Sequence, residues 1–172
     1  MKIKDGKLVE FVMNNKCAAG TGRFLDVTAK TLGLGVKELG GISLKSTNKV
    51  AITSICTFFA QNEIIDHLSK GIALEDVLAG LHNAIASRVI GMSRKLNIEP
   101  DVVLTGGVAK NVGVIKAIEE NLGFRVFVPE EPLLTGALGA AILGKESAFK
   151  YLAGGEPIPS KKRILQEATF YG

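Results

Sequence analysis

The fold is decided around the run DVVLTGGVAKN, residues 101–111. Its apolar start predicts a buried strand over 101–105, and the glycine pair Gly106-Gly107 predicts a turn that opens into a helix over 108–122. A second short strand is predicted over 125–128. Strand, helix and strand in this order favour an α/β fold in which helices cover a mixed sheet.

Towards the N-terminus the sequence predicts a hairpin and a series of helices. Residues 2–4 and 7–13 alternate in hydropathy around Asp5-Gly6, a dipeptide that favours a tight hairpin turn. Apolar residues at helical spacing predict helices over 20–32, 55–68, 74–96 and 135–145, with a single helical turn at 36–39. We expect one domain over residues 1–150, followed by a terminal extension over 151–172.

The composition excludes several classes of function. Hydrophobic residues make up 47% of the chain and charged residues 22%, which is typical of a folded domain rather than a disordered chain. The net charge of +4 is spread along the chain and aromatic residues are few, so we expect no nucleic-acid surface. The chain contains no apolar run of about 18 residues and no secretory signal, so we expect a cytoplasmic protein that does not cross a membrane.

Both cysteines occur where a short extended run meets the start of a predicted helix. Cys17 precedes the glycine-containing run 18–22, and Cys56 follows the short β-like run 50–52. The free N–H groups and the dipole of a helix N-terminus stabilise a thiolate or a negatively charged metal–thiolate cluster. A pair of inert, buried thiols is the alternative interpretation. Because a tetrahedral metal site or a [4Fe–4S] cluster takes about four protein ligands, two thiolates per chain would require a two-fold homodimer.

Two glycine-containing runs are candidates for ligand binding. Gly20-Thr21-Gly22 stands before a predicted helix, where backbone N–H groups can hold a phosphate, although helix packing explains such a run equally well. Gly106-Gly107 lets a flat ligand group approach the backbone closely. His67 and His82 have no second ligand at metal spacing and are interpreted as surface or packing residues, so no catalytic residue is assigned.

The run MNNKCAAGTGRFLD, residues 13–26, closely resembles the signature of the activator proteins of 2-hydroxyacyl-CoA dehydratases, which belong with the ATPase subunits of benzoyl-CoA reductase. The run SICTFFA at 54–60 is similar to their second cysteine motif, and the separation of 39 residues between the cysteines fits as well. Residues 104–111 resemble the family's adenosine motif, and LLTGALGAA at 133–141 resembles the last helix of the acetate-kinase/Hsc70/actin fold. The resemblance implies an α/β fold: a C-terminal, ribonuclease-H-like domain of the actin/Hsc70 type, with a mixed sheet covered by helices.

The resemblance also implies an ATP-dependent electron-transfer activator. In that family each subunit of a homodimer gives two cysteines to one shared [4Fe–4S] cluster, and Cys17 and Cys56 match those positions. ATP or ADP with Mg²⁺ is the second implied ligand, and the implied partner is a dehydratase or reductase that accepts the electron. The implied contacts are Gly20, Thr21 and Gly22 near the phosphates, and Gly106, Gly107, Ala109 and Asn111 near the adenosine.

The chain departs from the family pattern in three places. At Gln61-Asn62-Glu63 it is less acidic, so no carboxylate role is assigned there. The phosphate loop of the Asp-x-Gly-Ser-Thr type and the second phosphate strand are both missing, so we expect a domain without its first strand and without the N-terminal domain. The chain is then a fragment, a protein with a misplaced start, or one part of a split protein whose N-terminal half comes from a separate chain.

Other functions stay open at this point. An iron–sulfur carrier or binding module without ATPase activity would explain the missing phosphate motifs, because little else in the chain would position Mg²⁺ or an attacking water. A sugar-kinase-like protein of the same superfold would explain the glycine runs but leave the cysteines unused. A structural zinc ion shared by two chains is a further alternative.

Overall fold

The computed structural model describes residues 1–14, 22–53, 56–155 and 157. Cys17, Gly20 and Thr21 lie outside the described residues, so the predictions made for them stay predictions. The chain divides into two units, Met1–Leu133 and Leu134–Gly172.

The predicted N-terminal hairpin is confirmed. Strands β1 (Lys2–Lys4) and β2 (Lys7–Glu10) pair in antiparallel fashion. Asp5 and Gly6 have φ angles of 51° and 71°, and positive φ at both positions is what a type I′ turn requires. Every residue of β2 is exposed, so this strand adds nothing to the hydrophobic core.

The core of the first unit is built by helices. They are α1 (Gly22–Leu32), α2 (Val36–Ser43), α3 (Thr57–Ser69), α4 (Leu74–Ser93) and α5 (Val112–Leu122). Helix α4 packs against α2, α3 and α5. The largest buried apolar side chains are Phe24, Leu25, Leu39, Ile64, Val77, Leu78, Leu81, Ile85 and Val114. Since burial of each such side chain contributes about 1.5–3 kcal/mol, this cluster holds the helices together.

Helix α2 is longer than the single turn that its sequence predicts. The pair Gly40-Gly41 lowers helix propensity, but Leu39, Gly40 and Ser43 are buried. The carboxylate of Glu38 also accepts a hydrogen bond of 2.7 Å from the N–H of Gly35, which stabilises the first turn. Packing and capping together therefore outweigh the cost of the glycines.

The two segments predicted as strands around α5 pair in parallel, but over a very short length. Val103 and Phe127 form one parallel bridge, supported by a hydrogen bond of 2.9 Å from the N–H of Leu104 to the carbonyl of Phe127. Both bridge residues expose more than half of their surface. The segment 101–105 was predicted to be buried, and this part of the prediction was wrong. Among the described residues the hairpin strands pair only with each other, so no further strand lies beside this segment.

The second unit contains helix α6 (Thr135–Ala153), which extends beyond the predicted 135–145. None of its residues is buried. Within the described ranges, no helix is both long and apolar enough to span a membrane.

Candidate functional site

The turn at residues 106–111 brings several of the predicted site residues together. Gly106 has φ 86° and ψ −176°, a conformation that glycine adopts far more readily than any other residue. Its N–H donates a hydrogen bond of 2.8 Å to the carbonyl of Pro132. A 3-10 turn, Gly107–Lys110, follows, in which Gly107 is exposed and Ala109 is buried. The turn therefore presents the backbone of Gly107 at its surface.

Asn111 is the N-cap of α5 and is only 9% exposed. Its Oδ1 accepts a hydrogen bond of 3.1 Å from the N–H of Val114, the usual geometry of an N-cap asparagine. Its Nδ2 is buried and has no hydrogen-bond partner among the described residues. The Asn111 side chain therefore lies beneath the turn and supports it from within.

Gly22, the described end of the Gly20-Thr21-Gly22 run, lies beside this turn. A Cβ built on Gly22 would stand 3.7 Å from Cγ2 of Val108, which is ordinary van der Waals contact. Gly22 is also the first residue of α1. The start of α1, where the dipole and free N–H groups favour an anion, is therefore next to the turn at 106–111.

Cys56 is the N-cap of α3 and carries a free, exposed thiol. Its carbonyl accepts a hydrogen bond of 2.9 Å from the N–H of Ala60. Phe58 and Phe59 follow it and remain 65% and 61% exposed, although their rings pack edge to face with centroids 5.6 Å apart. Cys56 is thus not a buried apolar residue. It has the position at a helix start that was predicted for it.

A carboxylate of α3 binds Thr53, which precedes Cys56 by three positions. Oε1 of Glu63 accepts hydrogen bonds from the N–H of Thr53 at 2.9 Å and from its hydroxyl at 3.1 Å. Two residues earlier on α3, Nε2 of Gln61 donates to Oγ1 of Thr31 at 2.6 Å. Glu63 thereby ties the chain before Cys56 to α3, and Gln61 ties α3 to α1.

Among the described residues, histidine and carboxylate side chains form no metal site of their own. His82 is 1% exposed, its Nδ1 lies 2.9 Å from Oγ of Ser43, and burial lowers its pKa to about 4. It is a packing residue, as interpreted. No cluster of three or more His, Cys, Asp or Glu side chains occurs in the part of the chain that the structure describes. Cys56 is the described cysteine, and its exposed thiol at a helix N-terminus could serve as a ligand of an iron–sulfur cluster.

Residues 1–144 match the sequence profile of one family of ATPases, described as BadF/BadG/BcrA/BcrD. The chain belongs to the BadF/BadG/BcrA/BcrD ATPase family. The matched range includes the hairpin, helices α1 to α5 and the turn at 106–111. The resemblance inferred from the cysteine and glycine runs is confirmed.

Relatives of this BadF/BadG/BcrA/BcrD chain include activators of acyl-CoA dehydratases. The 2-hydroxyisocaproyl-CoA dehydratase activator of Clostridioides difficile is 47% identical over 144 residues, which are 84% of this chain and 54% of that protein. The (R)-2-hydroxyglutaryl-CoA dehydratase activating ATPase of Acidaminococcus fermentans is 49% identical over 148 residues, 86% of this chain and 57% of that protein. The chain therefore spans about half the length of the curated relatives it matches.

A solved structure supports the fold assignment. The activator of the 2-hydroxyisocaproyl-CoA dehydratase from Clostridium difficile with bound ADPNP matches with a TM-score of 0.82 and 44% identity, covering 91% of this chain and 58% of that chain. This likeness confirms the predicted fold class, an α/β, ribonuclease-H-like domain of the actin/Hsc70 type.

Sequence reasoning missed two polar groupings in this BadF/BadG/BcrA/BcrD chain. One is the pair of Glu63 and Thr53. The available sequence signal was their spacing around Cys56: Thr53 precedes the cysteine by three positions, and Glu63 follows it by two helical turns. The other is Ser43 with His82, which are 39 positions apart. No sequence signal pointed to the second pair, because only the packing of α2 against α4 brings them together.

Proposed function

We propose that the protein is the cluster-bearing part of an ATP-dependent activator that delivers an electron to a dehydratase or reductase of the 2-hydroxyacyl-CoA or benzoyl-CoA type. The exposed thiol of Cys56 at the start of α3 carries the proposal. A helix N-terminus stabilises a thiolate, and exposure leaves the sulfur accessible to a metal. Family membership and the names of the relatives support the role of an ATP-dependent activator.

The nucleotide part of the proposal rests on the turn at 106–111 and on the start of α1. Adenosine lies over the turn that contains Gly106, Gly107 and Ala109, and Asn111 supports this turn as the N-cap of α5. The phosphates, with Mg²⁺, extend towards Gly20, Thr21 and Gly22, where the N-terminus of α1 favours negative charge. The proximity of Gly22 to Val108 supports this placement, since one extended ligand can reach both elements.

The cluster part rests on the count of thiols. Cys17 and Cys56 from each of two copies complete the four ligands of one [4Fe–4S] cluster, which makes the protein a homodimer. When bound, such a cluster accepts and releases single electrons. The chain contributes the two thiolates, the helix N-termini that stabilise their negative charge, and the Thr53–Glu63 hydrogen bonds that hold the segment before Cys56.

The exposed Phe58 and Phe59 rings lie directly after the ligand Cys56. An exposed aromatic pair is typical of a surface that another protein covers. In this proposal the second copy covers the pair, because the shared cluster brings the two α3 helices together. The acceptor enzyme then approaches the cluster from its solvent side, and both proteins are in the cytoplasm.

Anaerobic reconstitution of the chain with iron and sulfide tests the proposal. We expect a brown dimer with about four irons per two chains, and no cluster in Cys17→Ser or Cys56→Ser. A colourless monomer after reconstitution would contradict it, and zinc in place of iron would indicate a structural metal site. ATP turnover by the reconstituted chain separates an activator from an iron–sulfur carrier without ATPase activity.

A further inference from the structure

A buried polar cluster lies where α2, α4 and α5 meet. Oγ of Ser43, the last residue of α2, donates a hydrogen bond of 2.8 Å to the carbonyl of Gly40. Nδ1 of His82 lies 2.9 Å from the same Oγ. Both side chains are almost fully buried, at 5% and 1% exposure. The hydroxyl has one hydrogen, which goes to Gly40, so the neutral His82 ring donates from Nδ1 to Ser43.

The first turn of α5 is pressed against this cluster. A Cβ on Gly113 would overlap Oγ of Ser43 and Nδ1 of His82, so only glycine fits there. On the other side, a Cβ on Gly40 would stand 2.8 Å from Oδ1 of Asn111. Because both positions are glycine, α2 and α4 pack closely against the backbone of the first turn of α5. The Ser43–His82 hydrogen bond fixes the two side chains that this turn contacts.

The position of α5 sets the position of the Asn111 amide. Oδ1 is used by the N–H of Val114, so the amide plane is fixed relative to the helix axis. Asn111 also ends the 3-10 turn Gly107–Lys110. A shift of the first turn of α5 would therefore move the turn at 106–111 with it.

The cluster does not itself hold a nucleotide. The cavity that Ser43, His82 and Gly113 help to line measures about 60 Å³, room for a water or two and far below the few hundred Å³ of a small-molecule pocket. Any influence of Ser43 and His82 on a nucleotide must therefore pass through α5.

We propose that Ser43 and His82 are positioning residues of the nucleotide site: their hydrogen bond holds the first turn of α5 so that the turn at 106–111, which ends at Asn111, meets the adenine nucleotide. This proposal rests on the nucleotide site proposed above. It predicts that breaking the bond weakens nucleotide binding although neither side chain touches the ligand.

The experiment compares Ser43→Ala with Ser87→Ala in the full chain. Oγ of Ser87 donates to Oδ1 of Asn121 at 3.2 Å, so the control removes a hydroxyl bond between α4 and the opposite end of α5. Two quantities are measured: hydrogen exchange of the Val114 amide without nucleotide, and the dissociation constant of Mg²⁺–ADPNP. We expect Ser43→Ala to accelerate Val114 exchange about tenfold and to raise the dissociation constant at least about fivefold, while Ser87→Ala changes neither.

A second pair of variants covers the case in which Ser43→Ala does not fold. His82→Leu leaves the Ser43 hydroxyl bonded to Gly40, so no buried polar group loses its partner. His82→Asn keeps a donor near the Nδ1 position. We expect the leucine variant to behave like Ser43→Ala and the asparagine variant to restore near-native exchange and affinity.

The outcomes separate this inference from the proposed function. If the unmodified chain binds Mg²⁺–ADPNP and the variants bind it equally well, the positioning role is overturned. If the unmodified chain does not bind Mg²⁺–ADPNP, the proposed nucleotide site is wrong. The exchange rate of the Val114 amide then decides whether Ser43 and His82 hold the first turn of α5. Unchanged exchange in Ser43→Ala and His82→Leu then overturns the inference, and selective acceleration supports the fixed α5 start.

Discussion

Gly22 and Val108 lie in van der Waals reach of each other: a Cβ on Gly22 would stand 3.7 Å from Cγ2 of Val108. They come from sequence runs more than 80 positions apart. Their proximity places the start of α1 beside the turn at 106–111. One ligand that carries an anionic group and a flat ring can therefore reach both.

The size of residue 22 is the first testable consequence. Gly22→Ala adds a methyl group at ordinary contact distance, so we expect the fold and Mg²⁺–ADPNP binding to survive. Gly22→Val adds carbons that press on Val108, and overpacking of this kind costs about 1–3 kcal/mol. We expect this variant to lose at least about tenfold in affinity, measured by titration calorimetry. Equal affinity for Mg²⁺–ADPNP in both variants would show that the start of α1 is not part of the nucleotide site.

Glu63 gives a test at the cysteine end of α3. Glu63→Ala removes the acceptor of both Thr53 hydrogen bonds. We expect this variant to lower the free energy of unfolding by about 1 kcal/mol. We also expect it to bind less iron per chain after reconstitution. Glu63→Gln keeps an acceptor oxygen and should retain most of the iron. Asp66→Ala is the control on the same helix, because its exposed ion pair with Lys70 contributes about 0–1 kcal/mol. Full iron loading of Glu63→Ala would assign Glu63 a purely structural role.

Phe58 and Phe59 test the surface beside Cys56. Both rings are mostly exposed within the chain, so we expect Phe58→Ser with Phe59→Ser to change the unfolding free energy of the monomer by no more than about 0.5 kcal/mol. If a second copy covers them, the same variant should weaken dimerisation at least about tenfold, measured by sedimentation of the reconstituted protein. Val9→Ser, an exposed apolar residue on β2, serves as the control. An unaffected dimer would show that the aromatic pair faces something else.

His82 makes stability depend on pH. Burial lowers its pKa from 6.5 to about 4, so the folded chain keeps the ring neutral. Above pH 6.5 the ring is neutral in both states and has no effect. As the pH falls from 6.5 towards 4, only the unfolded chain takes up the proton, and the free energy of unfolding decreases by about 3 kcal/mol in total. Urea unfolding between pH 7.5 and 4 measures this decrease, which His82→Asn should largely abolish.

Asp76 does not mask this effect. Its pKa is lowered by hydrogen bonds from the N–H of Asn48, the hydroxyl of Ser46 and the N–H of Thr47. A carboxylate with a lowered pKa stabilises the fold above its usual value of 3.8, and that stabilisation is lost only below it. A pH dependence between 6.5 and 4 that persists in His82→Asn would therefore point to a group other than these two.

The sequence predicted the helices better than the strands. Amphipathic spacing located α1, α3, α4 and α5 to within a few residues, because each buries a stripe of its own apolar residues. The segments 101–105 and 125–128 were predicted as strands from local composition. Whether a strand forms and is buried depends on its neighbours, and here the pairing is a single bridge.

The sequence alone identified the candidate site residues. It placed Cys56 at a helix start and the glycines at a turn, since capping and φ preferences act over a few neighbouring residues. Only the tertiary structure decided that Gly22 lies beside Val108, that Glu63 binds Thr53, and that Ser43 and His82 support α5. These relationships depend on how helices pack across long sequence separations, and close packing of the whole core, rather than any local preference, fixes them.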